Sequence, residues 1–93
     1  MKLRVKYSAQ LRAALPRAEE EIDLPAESRL SELLLHLADR HHSGRPHLVN
    51  ESGEARASLL MVVNELAVSA ADASTVRLCE GDIVWLLPPI AGG

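Results

Sequence analysis

Apolar and polar residues alternate strictly from Lys2 to Ser8. An extended backbone points successive side chains to opposite faces, so this alternation predicts a half-buried strand. Its inward side chains are Leu3, Val5 and Tyr7. A short helical turn is expected to follow over residues 9–15, and Pro16 is expected to end it.

A second strand is predicted over residues 18–24, with Ile22 and Leu24 on one face. Because it lies close in sequence to the first strand, the two are expected to form a hairpin. The glutamates at positions 19–21 are interpreted as solvated residues at the start of this strand rather than as a metal site. Pro25 closes the strand.

From Leu30 the apolar positions recur three and four residues apart, which predicts one amphipathic helix. The positions on this stripe are Leu30, Leu33, Leu34, Leu37, Ala38 and His41. Either Ser28 or Ser31 is expected to cap its N-terminus. The helix is expected to stop near Ser43-Gly44, and the polar, turn-rich residues 43–58 predict a surface loop.

The second half of the chain predicts short strands separated by turns. The expected strands cover residues 59–63, which read as buried, then 66–68, 75–79 and 83–87, with turns at Asn64-Glu65 and Gly81-Asp82. One long helix among hairpins indicates an α+β fold, with the helix packed on one face of a mixed sheet. In that arrangement the first and last strands are expected to lie side by side at the centre of the sheet, and a central position would explain why the last strand is apolar on both faces.

The last strand also offers a candidate interface. If Val84 and Leu86 face the helix, the alternate side chains lie on the open side of the sheet, beside Arg4 and Lys6 of the first strand. Those alternate side chains are Ile83, Trp85 and Leu87. An exposed apolar cluster of this kind indicates a protein-binding surface, and Trp85 could stack on a neighbouring cation. The opposite register would bury Trp85 in the core.

Composition and charge narrow the classes of function and partner that the chain can have. The 93 residues suit one small domain, with 47% hydrophobic and 25% charged residues. The net charge of −3 and the scattered basic residues argue against a nucleic-acid partner. No apolar run approaches the roughly 20 residues of a membrane span, and the first residues lack the apolar stretch of a signal peptide. The expectation is a cytoplasmic protein without a membrane partner.

The sequence predicts neither a catalytic site nor a metal site within the domain. The four histidines lack metal-ligand spacing, so no metal site is predicted. Cys79 is interpreted as a small half-buried residue rather than a nucleophile. No pairing of a nucleophile with a base is visible in the sequence. The chain is therefore not expected to be an enzyme on its own.

The C-terminal residues 88–93 are expected to form a tail beyond a domain at 1–87. In order they are Pro88, Pro89, Ile90, Ala91, Gly92 and Gly93. Proline cannot donate to a sheet and favours stiff extended backbone, whereas glycine has no Cβ and can pass through a narrow channel. At about 3.1 Å per residue the tail reaches roughly 19 Å, which is enough to enter a pocket on a partner.

Two stretches carry a family resemblance. Residues 5–12, VKYSAQLR, and residues 78–93, LCEGDIVWLLPPIAGG, resemble the small, sulfur-carrying subunit of molybdopterin synthase, the MoaD family. That family belongs with ThiS among the ubiquitin-like β-grasp proteins, so the resemblance implies a β-grasp sheet of four to five strands. The sequence departs from the family where Ile83 replaces an acidic residue, Trp85 a small one, and Asn64-Glu65 an Asn-Gly pair.

The resemblance implies how the Gly93 carboxylate works. A ubiquitin-activating-type enzyme would adenylate it, and sulfur from a sulfurtransferase would replace AMP to leave a thiocarboxylate. The larger catalytic subunit of molybdopterin synthase would then receive the sulfur for the dithiolene of the molybdenum cofactor. No bound cofactor is implied; the glycyl adenylate and the thiocarboxylate are covalent intermediates.

The residues expected to bind these partners are Pro88, Pro89, Ile90, Ala91, Gly92, Ile83, Trp85 and Leu87. Three alternatives stay open from sequence: a carrier for thiamine, cysteine or another thiolated product, a ubiquitin-like modifier of lysines, and a plain binding module.

Overall fold

The sheet is built from five short strands around one principal helix. The computed structural model describes residues 1–8, 11–15 and 17–87. In chain order the elements are β1 (Lys2–Tyr7), a 3₁₀ turn (Leu11–Ala13), β2 (Glu19–Asp23), α1 (Leu30–Arg40), α2 (Arg45–Leu48), β3 (Leu60–Val63), β4 (Leu66–Val68), a 3₁₀ turn (Ala70–Asp72) and β5 (Ile83–Leu87).

The strands lie in the order β2-β1-β5-β3-β4. β1 and β5 pair in parallel at the centre, and every other neighbouring pair is antiparallel. This confirms both the mixed sheet with one main helix and the central position of the last strand. A parallel pair needs a long crossover between its strands, and here that crossover carries the helices and the β3–β4 hairpin.

The core lies between one face of the sheet and α1. All five apolar positions of the predicted stripe within α1 are buried. They pack on the inward residues of the strands, of which Val5, Val84 and Leu86 are wholly inaccessible to solvent. Tyr7 is the one aromatic side chain in this otherwise aliphatic core. The alternation in β1 is thus realised as predicted, with Lys2 and Arg4 exposed.

The N-terminal end of α1 differs from the prediction, because neither serine caps it. Arg29 occupies the cap position, and its backbone N–H donates to the Glu32 carboxylate at 2.9 Å. The Ser28 hydroxyl instead donates to the Pro25 carbonyl at 2.8 Å. Ser31 lies inside the first turn of the helix. Glutamate at the third helical position can satisfy the cap N–H whatever residue stands at the cap.

The prediction of a surface loop over residues 43–58 was wrong in its first part. Residues Arg45–Leu48 form α2, and both Leu48 and Val49 are buried. Pro46 lies in the first turn of α2, where a missing N–H costs nothing. A four-residue helix is too short to show a helical periodicity in the sequence. Gly44 and Pro46 therefore made this segment look like a loop.

The stretch 75–79 does not form a strand. Its strand-like contact is an isolated bridge between Arg77 and Arg29, which lies outside the five-stranded sheet. Cys79 is exposed rather than half-buried, because Leu78 takes the inward position beside it. Within the described part of the chain, no helix is long and apolar enough to cross a membrane.

Candidate functional site

The face of the sheet opposite α1 carries the apolar residues predicted for an interface. Ile83 is 39% exposed and Trp85 is 38% exposed, whereas their neighbours Val84 and Leu86 are completely buried. Leu87 is half-buried. The register that places Trp85 on the open face is therefore the correct one. The three predicted residues share this face because they are alternate positions of β5.

Cross-strand pairing extends the apolar surface onto β3. Val62 lies opposite Trp85, and Leu60 lies opposite Leu87. Leu60 is 54% exposed and Val62 is half-buried, so the prediction that this whole strand is buried was wrong. Alternation along β3 places these two side chains on one face, but that this face is open follows from the pairing of β3 with β5 in the sheet.

An open groove of about 420 Å³ crosses this surface. Its lining residues are Lys6, Val62, Asn64, Glu65, Ile83 and Trp85. The Lys6 ammonium lies 5.3 Å from the centroid of the Trp85 ring, within the range of a cation–π interaction. The groove therefore combines an aromatic wall with one cation and one carboxylate.

A hydrogen-bond network holds one end of this groove. The Asn64 side-chain amide donates to Asp82 Oδ1 at 2.6 Å and accepts from the Ile83 backbone N–H at 2.9 Å. The second Asp82 oxygen accepts from the Cys79 N–H at 2.8 Å. These bonds fix the β3–β4 turn to the start of β5, which sets the position of Ile83 relative to the turn.

The β3–β4 turn itself has an uncommon backbone. Asn64 and Glu65 both have positive φ angles, of 48° and 72°. Two central residues in this region are typical of the hairpin turn that favours Asn-Gly. Asparagine tolerates the conformation, but glutamate does so at a cost in free energy. The turn predicted at this position is confirmed, and Glu65 lies at the groove in a strained backbone.

Charges on the open face are unevenly compensated. On the β1–β2 side, Arg4 lies 3.3 Å from a Glu19 oxygen and 3.7 Å from a Glu21 oxygen. Lys2 lies 3.6 Å from Glu21. Among the described residues, no carboxylate lies within ion-pair distance of Lys6 or cation within that distance of Glu65.

A second polar cluster lies inside the domain and contradicts the prediction that residues 19–21 are all solvated. Glu20 is 5% exposed. Its Oε2 accepts from the Tyr7 hydroxyl at 2.6 Å and lies 2.6 Å from His41 Nε2. Arg40 Nε lies 3.3 Å from Oε1. Glu20 is inward because it alternates with Ile22 in β2, a position that the charge run obscured.

Burial and hydrogen bonding act in opposite directions on this cluster. Burial alone would raise the pKa of Glu20. The hydrogen bonds from Tyr7 and His41, together with the charges of His41 and Arg40, outweigh it and lower that pKa below 4.5. Burial, and then the Glu20 hydrogen bond and charge, raise the pKa of Tyr7 far above 10. The cluster therefore holds an ionised carboxylate beside a neutral phenol.

The end of β5 sets the starting point of the predicted tail. The Ser8 N–H donates to the Leu86 carbonyl at 3.1 Å, so β1 holds β5 almost to its last residue. The predicted tail residues, including the terminus that is predicted to react, lie outside the described residues; they are Pro88, Pro89, Ile90, Ala91, Gly92 and Gly93. Within the described residues, no group of three His, Cys, Asp or Glu side chains is placed to hold a metal ion.

Comparisons with known proteins extend this description. A family model described as the ThiS family matches residues 5–93. A solved structure from Pyrococcus furiosus, described as a candidate molybdopterin converting factor, subunit 1, is 30% identical, with a TM-score of 0.76 over 97% of this chain and 99% of that chain. No curated protein matches the sequence.

Two more distant solved structures share the fold. SAMP1 from Haloferax volcanii has a TM-score of 0.86 at 20% identity, with 100% of both chains covered. A chain in the BexX/CysO complex of Amycolatopsis orientalis has a TM-score of 0.72 at 22% identity, over 98% of this chain and 99% of that chain.

Proposed function

Because the chain belongs to the ThiS family of ubiquitin-like sulfur carriers, we propose that it is the small, sulfur-donating subunit of a molybdopterin synthase-type complex. One observation carries the choice of pathway. The Pyrococcus furiosus protein described as a candidate subunit 1 of the molybdopterin converting factor is 30% identical across almost the full length of both chains. The Pro88-Pro89 pair of the tail agrees with this pathway, whereas the Gly92-Gly93 pair is shared with the thiamine alternative.

In the proposed reaction the chain is a co-substrate and not a catalyst. A carboxylate at neutral pH is a poor electrophile, so the Gly93 carboxylate first attacks the α-phosphorus of ATP and pyrophosphate leaves. The terminal sulfur of a sulfurtransferase persulfide then attacks the carbonyl carbon and AMP leaves, and a thiol reduces the acyl disulfide so formed to the thiocarboxylate. The resulting thiocarboxylate is a soft nucleophile that delivers its sulfur without releasing free sulfide.

The proposed role assigns separate tasks to the domain and the tail. Two carriers used in turn would supply the two sulfurs of a dithiolene, while the larger subunit would hold the pterin precursor and its catalytic residues. The domain would serve as a handle through Ile83, Trp85 and Leu87, which share the open face. The tail at 88–93 would insert the reactive group into the partner.

The test is mass spectrometry of the chain purified from its native host, together with the proteins that co-purify with it. We expect the mass increase produced by replacing one oxygen with sulfur at Gly93, and a pterin-pathway large subunit among the partners. A Gly93 deletion variant is the control, and it should lack the sulfur but retain the large subunit through the open face.

Other outcomes would redirect the assignment. A thiocarboxylate together with repeated absence of the large subunit would indicate a carrier for thiamine, cysteine or another thiolated product. Branched Gly-Gly remnants on the lysines of many proteins would indicate a modifier. A chain that carries neither modification would be a binding module.

A further inference from the structure

We infer that the groove beside Trp85 binds a partner surface of defined polarity, with a carboxylate opposite Lys6, an apolar side chain over Ile83 and Trp85, and a cation opposite Glu65. This inference rests on the proposed function, in which the partner is the larger subunit. It adds the chemistry by which that subunit would be recognised and oriented.

The Lys6 end of the groove is complementary to a carboxylate on the partner. Lys6 lies opposite Glu19 in the β1–β2 register, yet the Glu19 carboxylate contacts Arg4 at 3.3 Å and the Lys6 ammonium lies over Trp85 instead. A partner that covers Trp85 also removes water from this ammonium. Since burying an uncompensated charge is costly, a partner with a carboxylate at this point is favoured over one without.

The Glu65 end has the opposite sign. Glu65 is exposed and its φ of 72° disfavours any residue except glycine or asparagine, so the fold alone gives no reason for a glutamate there. Asn64 is tied to Asp82 and Ile83, which fixes the turn that presents Glu65. Backbone strain kept in a residue that lines a groove points to recognition.

Apolar area between the two charges completes the pattern. Ile83 and Trp85 are each more than a third exposed, and Val62 on β3 lies between Trp85 and the edge strand β4. Aromatic residues in the centre of an interface contribute most of its binding free energy, whereas charges at its ends set orientation and reject wrong partners. The order carboxylate, apolar group, cation on the partner is therefore the complement of this face.

The experiment measures the dissociation constant of full-length variants for the larger subunit from the same host, by calorimetry at low and high salt. Lys6→Glu should weaken binding by about 10-fold or more, because it opposes like charges. Lys6→Met, which keeps the stem over Trp85, should weaken it by about 2- to 5-fold. Glu65→Lys should weaken it by about 10-fold, and high salt should reduce all these differences.

Matched controls separate local contact from overall charge. Lys2→Glu changes the net charge as Lys6→Glu does, on the same strand and face, but lies outside the groove. Glu51→Lys matches Glu65→Lys at an exposed position away from this face. Both controls should stay within about twofold of the unaltered chain. Melting temperatures identify any variant that loses its fold.

Equal dissociation constants for Lys6→Glu and Lys2→Glu, with both variants folded, would overturn the inference. So would tighter binding of Glu65→Lys. If the unaltered chain binds the adenylating enzyme but not the larger subunit, the proposed pathway is wrong. The same variants measured on the adenylating enzyme then decide the charge pattern independently.

Discussion

Trp85 and Leu86 are neighbours on one strand, yet they lie on opposite faces of the sheet, in opposite environments. Leu86 is completely buried against the helix side, and Trp85 is 38% exposed on the open side. The central β5 is therefore apolar in both directions, for stability on the helix side and, in the proposed function, for recognition on the open side. Because alternation places its five residues in two different environments, single substitutions should separate these two roles.

The largest effect is expected on the covered face. Leu86→Ala should lower the free energy of unfolding by about 2–5 kcal/mol, because it leaves a cavity that the surrounding core cannot fill. Urea denaturation of the variant and the unaltered chain measures this difference. A loss below the cost of one buried methylene would show that the two faces are not as different as their burial indicates.

The matching change on the open face should affect binding instead. Trp85→Ala should cost about 2–4 kcal/mol of binding free energy toward the larger subunit, as for a central aromatic anchor. Its melting temperature should stay close to that of the unaltered chain, since the side chain is already partly solvated. Strong destabilisation together with unchanged affinity would mean that Trp85 supports the fold and not the interface.

Removing the charge of buried Glu20 should show whether polar contacts also contribute to the stability of the covered face. Glu20→Gln should lower the free energy of unfolding by about 1–3 kcal/mol, because Tyr7 and His41 lose a charged acceptor. Glu19→Gln is the exposed control on the same strand, and its effect should be well under 1 kcal/mol. Equal effects for the two variants would contradict the structural role of the cluster.

Lowering the pH should remove the same contribution to stability, because it protonates the Glu20 carboxylate. Because the pKa of Glu20 is lower in the folded chain than its ordinary value of 4.5, the folded chain is stabilised above that pH relative to a protonated form. This stabilisation is lost as the pH falls below 4.5 and through the lowered pKa. The unaltered chain should therefore lose more stability between pH 6 and acid than Glu20→Gln, as measured by denaturation at each pH.

Sequence reasoning succeeded where one pattern governed a whole element. Alternation in β1 and the stripe of α1 gave both their positions and their faces, because each continues for six residues or more. The pairing of β1 with β5 followed from the expected α+β arrangement, and a central position for β5 explains its apolar density. The open face followed from the same alternation, once Val84 and Leu86 were assigned to the core.

It failed where a side chain's setting depends on contacts that are distant in sequence. Glu20 looked solvated between two other glutamates, although Tyr7 and His41 satisfy it from other elements. Leu60 looked buried within an apolar run, although its strand lies near the edge of the sheet with one face open. The position of Glu65 at the groove depends on a turn tied to β5, which no local pattern reveals.

The smallest expected effect separates strain from recognition within the β3–β4 turn. Glu65→Gly should raise the free energy of unfolding by about 0.5–1 kcal/mol, because a positive φ costs glutamate about 1–2 kcal/mol and glycine loses part of that gain in chain entropy. Denaturant unfolding measures the gain, and Glu51→Gly, outside this turn, should show none. The same variant should bind the larger subunit less tightly, since it lacks the carboxylate. A variant that gains stability and keeps full affinity would show that the Glu65 carboxylate does not contribute to binding. The open face would then recognise its partner without Glu65.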